Sequence, residues 1–136
     1  MPKETLVIHS KIEEVQKVYE WIEKHVHDAQ FEKKLQNQIL LITQEIVTNG
    51  IIHGNNLVAS KKVVITFQSN SKEIRITVED EGEGSPSLPT KEEAQELDYL
   101  AEDGRGLKLA VLICKEIIIN KNLTTLVFEK EYKEKE

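Results

Sequence analysis

A carboxylate and a carboxamide stand four residues apart in the otherwise apolar run Glu45-Ile46-Val47-Thr48-Asn49-Gly50-Ile51-Ile52-His53-Gly54. On a helix that spacing puts Glu45 and Asn49 on one face. A buried carboxylate and amide need partners, from the protein or from a ligand. The amide oxygen of Asn49 is a hard ligand of the kind that suits magnesium held jointly with phosphates. Further along, Asp80-Glu81-Gly82-Glu83-Gly84 places an acceptor-only carboxylate beside two glycines. Asp80 has the chemistry to read an exocyclic amine such as that of adenine, and Gly82 and Gly84 permit close backbone approach to a ligand. Gly104-Arg105-Gly106 stands where a helix begins, so free backbone N–H groups and the positive dipole end would meet an anion there.

The elements that carry these residues follow from periodicity. Residues 5–9 read as a strand, and Ser10-Lys11-Ile12-Glu13 has the form of a capping box that opens a helix. Ile12, Val15, Tyr19, Ile22 and Val26 then recur at helical spacing as one buried stripe, and the helix ends near His25-Val26-His27-Asp28. A second helix is expected over residues 31–53, stopped by Gly54-Asn55-Asn56 through a left-handed residue. Its stripe is Leu35, Ile39, Ile42 and Ile46, with Glu45 and Asn49 at the border and Leu40, Val47 and Ile51 as a second apolar group on another side.

Alternation over residues 63–67 and 74–78 around Ser69-Asn70-Ser71 predicts a hairpin. Residues 85–103 read as a lid with a helix-prone portion, since a connection of that length in a compact domain is usually functional or disordered. Leu107, Ala110, Val111 and Cys114 give a third helix a stripe to pack on the sheet. A closing hairpin spans 117–130, and residues 131–136 form a charged, frayed tail. This order predicts an α+β fold, one domain over residues 1–136, with helices on one face of a mainly antiparallel sheet.

A net charge of -6 gives no basic field for phosphate-backbone attraction, so no direct nucleic-acid partner is expected. The single cysteine, Cys114, excludes an intramolecular disulfide and suits a reducing compartment. No apolar run approaches the roughly 20 residues of a membrane helix, which leads to a cytoplasmic expectation. No Walker-type phosphate loop occurs, and the glycines after Asp80 lack the helix that a Rossmann fingerprint requires. Cys114 is expected as a small core residue, Trp21 packed beside the first stripe, and His25 and His27 at the surface.

Taken in order, the Glu45/Asn49 helix, the Asp80-x-Gly82-x-Gly84 loop and Gly104-x-Gly106 resemble the N, G1 and G2 boxes of the GHKL ATPase superfamily. The run Gln44 through Gly54 most resembles the anti-sigma-factor serine kinases of bacteria, and the resemblance covers residues 5–130. It implies a two-layer α/β sandwich of the Bergerat ATP-binding type, with ATP and Mg2+ as cofactors. It implies that Asn49 binds magnesium, that Asp80 recognises adenine, that Gly82 and Gly84 let the loop approach the nucleotide, and that Gly104, Arg105 and Gly106 meet the phosphates. Glu45 would be the general base toward a serine of a protein substrate.

Two positions depart from the family pattern. Gly50 stands where alanine is usual, and Leu123-Thr124 stands where the last strand usually starts Gly-Thr. Thr124 is still carried over as an adenine-side contact. For His53 two readings remain, a nucleotide contact and a hydrogen-bonded structural histidine. The implied partners are a sigma factor and a STAS-type antagonist of the anti-sigma factor, together with homodimerisation. The alternative is a non-catalytic module of the same fold that sequesters its partner by contact alone.

Overall fold

The computed structural model describes residues 3–82 and 105–130. The expected lid, Gly84, Gly104 and the tail lie outside the described residues. Five strands form one antiparallel sheet: β1 Glu4–His9, β2 Lys62–Ser69, β3 Glu73–Glu79, β4 Glu116–Asn120 and β5 Leu123–Glu129, in the spatial order β1-β2-β3-β5-β4. Helices α1 Val15–Asp28, α2 Lys33–Asn49 and α3 Arg105–Ile113 complete the framework, and α2 continues into a π-helical turn at Gly50–Gly54. This is the α+β architecture expected, with helices on one face of the sheet. No helix among the described residues is long and apolar enough to cross a membrane.

Strand alternation builds the core. Register aligns Leu6, Ile65, Val78, Thr124 and Ile119 in one row across the sheet, and Phe67, Ile76, Leu126 and Ile117 in the next. Every second residue of a strand faces the same way. These inward rows meet Val15, Val18, Ile22 and Val26 of α1 and the broad buried face of α2 in one apolar cluster. The β2–β3 turn is fixed by Asn70, whose Oδ1 accepts from the backbone N–H groups of Lys72 (2.8 Å) and Glu73 (2.9 Å).

Several expectations are corrected. Ser10 does not cap a helix. Its hydroxyl donates to the carbonyl of Lys61 at 2.8 Å and is almost wholly buried, so the chain turns through a short 3-10 segment at Ile12–Glu14 before α1 begins. Ile12 is 48% exposed and leaves the stripe, because the 3-10 segment breaks the α-helical phase; Val18 takes its place. His25 is half-buried rather than a surface residue. Its ring stacks on Phe67 at 5.0 Å, and Trp21 packs edge-on against it at 4.8 Å. Helix α3 lies beside α2, and its Ala110 and Ile113 are buried in the same apolar cluster as the inward strand residues.

The two apolar groups of α2 prove to be one surface. Gln36 and Thr43 lie between them and are buried, joining Leu35, Ile39, Ile42 and Ile46 to Leu40 and Val47. Gln36 is satisfied by donating to the carbonyl of Phe31. The Thr43 hydroxyl is buried without a hydrogen-bond partner among the described residues. A buried unsatisfied hydroxyl costs about 1–3 kcal/mol. Thr43→Val, nearly the same shape, is therefore expected to raise unfolding free energy by about 1 kcal/mol; urea denaturation checks this.

Candidate functional site

The end of α2 is shaped by its glycines. Gly50 keeps right-handed helical angles (φ -61°, ψ -41°), and the turn then widens: the N–H of Asn55 reaches the carbonyl of Gly50 at 2.8 Å, and that of Leu57 reaches Ile51 at 2.8 Å. Such π turns are rare and occur often at functional sites. The chain leaves through left-handed Asn56 (φ 51°) and Leu57 (φ 59°), so the left-handed stop expected within Gly54-Asn55-Asn56 falls on Asn56 and extends to Leu57.

The Asp80 carboxylate lies directly against this turn. A Cβ placed on Gly54 would stand 2.4 Å from Asp80 Oδ2, and one on Gly50 would stand 3.4 Å from the same oxygen. Gly82 meets the turn from the other side, where a Cβ would lie 2.5 Å from the carbonyl oxygen of Gly54. The glycines thus let two backbones interlock around one side chain. The Gly82 N–H donates to Asp80 Oδ1 at 2.7 Å. Burial raises the Asp80 pKa above its ordinary value, and the Gly82 N–H works in the opposite direction.

Two asparagines hold this arrangement, and sequence reasoning passed over both as turn formers. Asn55, fully buried, donates from Nδ2 to Ser10 Oγ (2.8 Å) and to the Lys62 carbonyl (3.0 Å), and its Oδ1 accepts from the Glu81 N–H (2.7 Å). It ties the end of β1, the π turn, β2 and the Asp80 loop into one node. Asn122, in the β4–β5 turn, donates to the Asp80 carbonyl, while its own carbonyl accepts the Asp80 N–H at 3.1 Å. The only sequence signal was an asparagine beside a glycine or a lysine between two strands, which turns share.

The remaining candidates fall as follows. Glu45 and Asn49 are both half-buried, one turn apart on α2, at the border of its buried face as their spacing predicts. Asn49 immediately precedes Gly50, so the amide sits at the same helix end as the Asp80 carboxylate. His53 is exposed, because the π turn changes the helical phase after Asn49. Thr124 is buried in the inward row opposite Val78, two residues before Asp80 on the neighbouring strand. Arg105 and Gly106 open α3, which packs beside α2. Cys114 is partly buried, and burial pushes its thiol up to about 12, which leaves it a protonated packing residue at neutral pH. No cluster of His, Cys, Asp and Glu suited to a metal occurs among the described residues. The Asn49 amide oxygen is of the kind that a magnesium ion shared with ligand phosphates would take.

Comparison with known proteins identifies the family of the chain. The family model described as a histidine kinase-like ATPase domain matches residues 8–130. The chain is also similar to the anti-sigma F factor of Geobacillus stearothermophilus, at 31% identity over 107 residues that cover 73% of this chain and 71% of that protein.

Two glycine substitutions test the interlock. Gly54→Ala should cost about 1–3 kcal/mol, since either Asp80 or the turn must move. Gly50→Ala, with ordinary contact distance and helical angles, should be neutral or gain up to about 1 kcal/mol; thermal denaturation compares them. The raised pKa of Asp80 also fixes a sign. A carboxyl whose folded pKa lies above its unfolded value contributes stability that is full below the unfolded pKa of about 3.8 and is lost as pH rises through the folded value. Asp80→Asn should therefore be at least as stable as the parent at pH 7, with the difference shrinking as pH falls toward 4; denaturation across that range checks it.

Proposed function

Because this chain belongs to the histidine kinase-like ATPase domain family, we propose that it is an ATP-dependent serine protein kinase that acts as an anti-sigma factor in the cytoplasm. Its partners in this reading are a sigma factor and a STAS-type antagonist that carries the target serine. The observation that carries the reading is the Asp80 carboxylate, desolvated and packed against the glycine turn that ends the Glu45/Asn49 helix. A carboxylate in that position is suited to accept from an exocyclic amine, and its cost to the fold is what a ligand donor would relieve.

ATP with magnesium would supply the transferable phosphoryl group and neutralise its charge. Asn49 offers the amide oxygen to the metal. Asp80 orients the base, with Thr124 behind it in the neighbouring strand. Glu45, one turn before Asn49, accepts the proton of the substrate hydroxyl. Arg105 and Gly106, at the α3 N-terminus, contribute a permanent cation and backbone N–H groups toward anions. The similarity to an anti-sigma F factor supports the regulatory half of the proposal.

The decisive experiment combines binding with transfer. The parent chain should bind magnesium ATP and label an antagonist protein from radiolabelled ATP. Asn49→Ala should lose magnesium-dependent binding while keeping its fold. Glu45→Ala should retain nucleotide while transfer falls by about 10²–10⁴-fold. Full transfer by Glu45→Ala would remove the assignment of that residue. A parent chain that binds a sigma factor without labelling any antagonist would favour the non-catalytic module instead.

A further inference from the structure

The rung of the sheet that reaches Asp80 is completed by a side chain. Register pairs Glu79, the last residue of β3, with Leu123, so the next pair along the ladder is Asp80 with Asn122. The Asp80 N–H donates to the Asn122 carbonyl at 3.1 Å, which marks a pair that ordinarily exchanges two backbone bonds. The return bond is different. The Asp80 carbonyl accepts from Nδ2 of Asn122, the side chain standing in for the backbone N–H of the same residue. Both backbone polar groups of Asp80 are thereby gripped by one residue on the neighbouring turn.

The turn that carries Asn122 is strained. Asn120 pairs with Leu123, so Lys121 and Asn122 form a two-residue hairpin turn. Lys121 takes φ 56°, a left-handed angle for which glycine is the usual residue at that place in such a turn. Backbone held in a sparsely populated region persists where its surroundings over-determine it, and such places cluster at binding sites. The two bonds between Asn122 and Asp80 are surroundings of that kind, and they join the strained turn to the candidate site.

We propose that Asn122 is a positioning residue for nucleotide recognition: by gripping the backbone of Asp80 on both sides of its Cα, it sets how well that carboxylate tells a purine with an exocyclic amine from one without. The proposal rests on the assignment of Asp80 to the base. Ile76 and Val78 face inward, and Asp80 continues on that side by the two-residue period although it lies one residue past the end of β3. Asn122 supplies the order that the strand no longer gives there. With the backbone fixed, the carboxylate is held against Gly50 and Gly54, and its Oδ1 receives the Gly82 N–H at 2.7 Å. A hydrogen bond weakens steeply once its distance and angle leave a narrow range, so a carboxylate free to swing would discriminate less. Asn122 acts through Asp80 and needs no contact of its own with the nucleotide.

Calorimetric titration of the full chain with magnesium ATP and with purine riboside triphosphate tests it, because a purely structural role would weaken both nucleotides alike. The parent should prefer ATP by about 10–100-fold, and Asn122→Ala should reduce that preference at least about fivefold while its affinity for purine riboside triphosphate stays within about threefold of the parent. Asn122→Asp keeps the size and turn preference of asparagine but cannot donate to the Asp80 carbonyl. It should behave as Asn122→Ala does, with the parent circular dichroism. Lys121→Gly, which removes the left-handed strain and leaves Asn122 in place, should be at least as stable as the parent and keep its full preference. A parent that does not distinguish the two nucleotides would remove the base assignment of Asp80 and this proposal with it. A parent that does distinguish them, beside folded Asn122 variants that keep the full preference or lose both nucleotides equally, would overturn the role of Asn122 alone.

Discussion

A carboxylate set against the end of a helix is held there at a cost, since the last carbonyls already carry partial negative charge and burial removes water. Asp80 occupies such a place, pressed on the backbone at Gly50 and Gly54 and stabilised by the Gly82 N–H at one oxygen. Everything else around the site keeps that contact in position. Asn122 fixes the backbone of Asp80 from the β4–β5 turn, and Asn55 fixes the turn beneath it and the N–H of Glu81 beyond it. The second oxygen of the carboxylate is the one nearest the glycines.

The same constraint explains why α2 is built as it is. A helix that forms one wall of a polar site must not shift, and α2 is held by burial over a face wide enough to include Gln36 and Thr43 as well as six aliphatic residues. Glu45 and Asn49 emerge at the edge of that face, so their positions are set by the core rather than by a loop. The π turn then ends the helix with little side-chain bulk near Asp80. The requirement falls on Gly54, where a Cβ would stand 2.4 Å from Asp80 Oδ2, and not on Gly50, where it would stand at an ordinary 3.4 Å.

Periodic features of the fold were legible in the sequence, and features made by contact between loops were not. The strands, the α2 stripe and the border position of Glu45 and Asn49 follow from periods of two and 3.6 residues, which any reader of the chain can count. The role of Ser10 was misread because a hydroxyl before an acidic residue has the capping-box form, whereas tertiary contact with Lys61 and Asn55 claims it. Asn55 and Asn122 carried no periodic signal, since their partners lie 26 and 42 residues away in sequence. The exposure of His53 depended on a π turn that no spacing rule announces.

The central claim is that Asp80 is held ready to receive an exocyclic amine, and the most direct measurement is calorimetric titration with nucleotides that differ only there. Magnesium ATP should bind more tightly than the purine riboside triphosphate lacking the 6-amino group by about 10–100-fold, the worth of a hydrogen bond to a charged group. Asp80→Asn should erase the difference. Equal affinity of the parent chain for the two nucleotides, or no binding of either, would contradict the account.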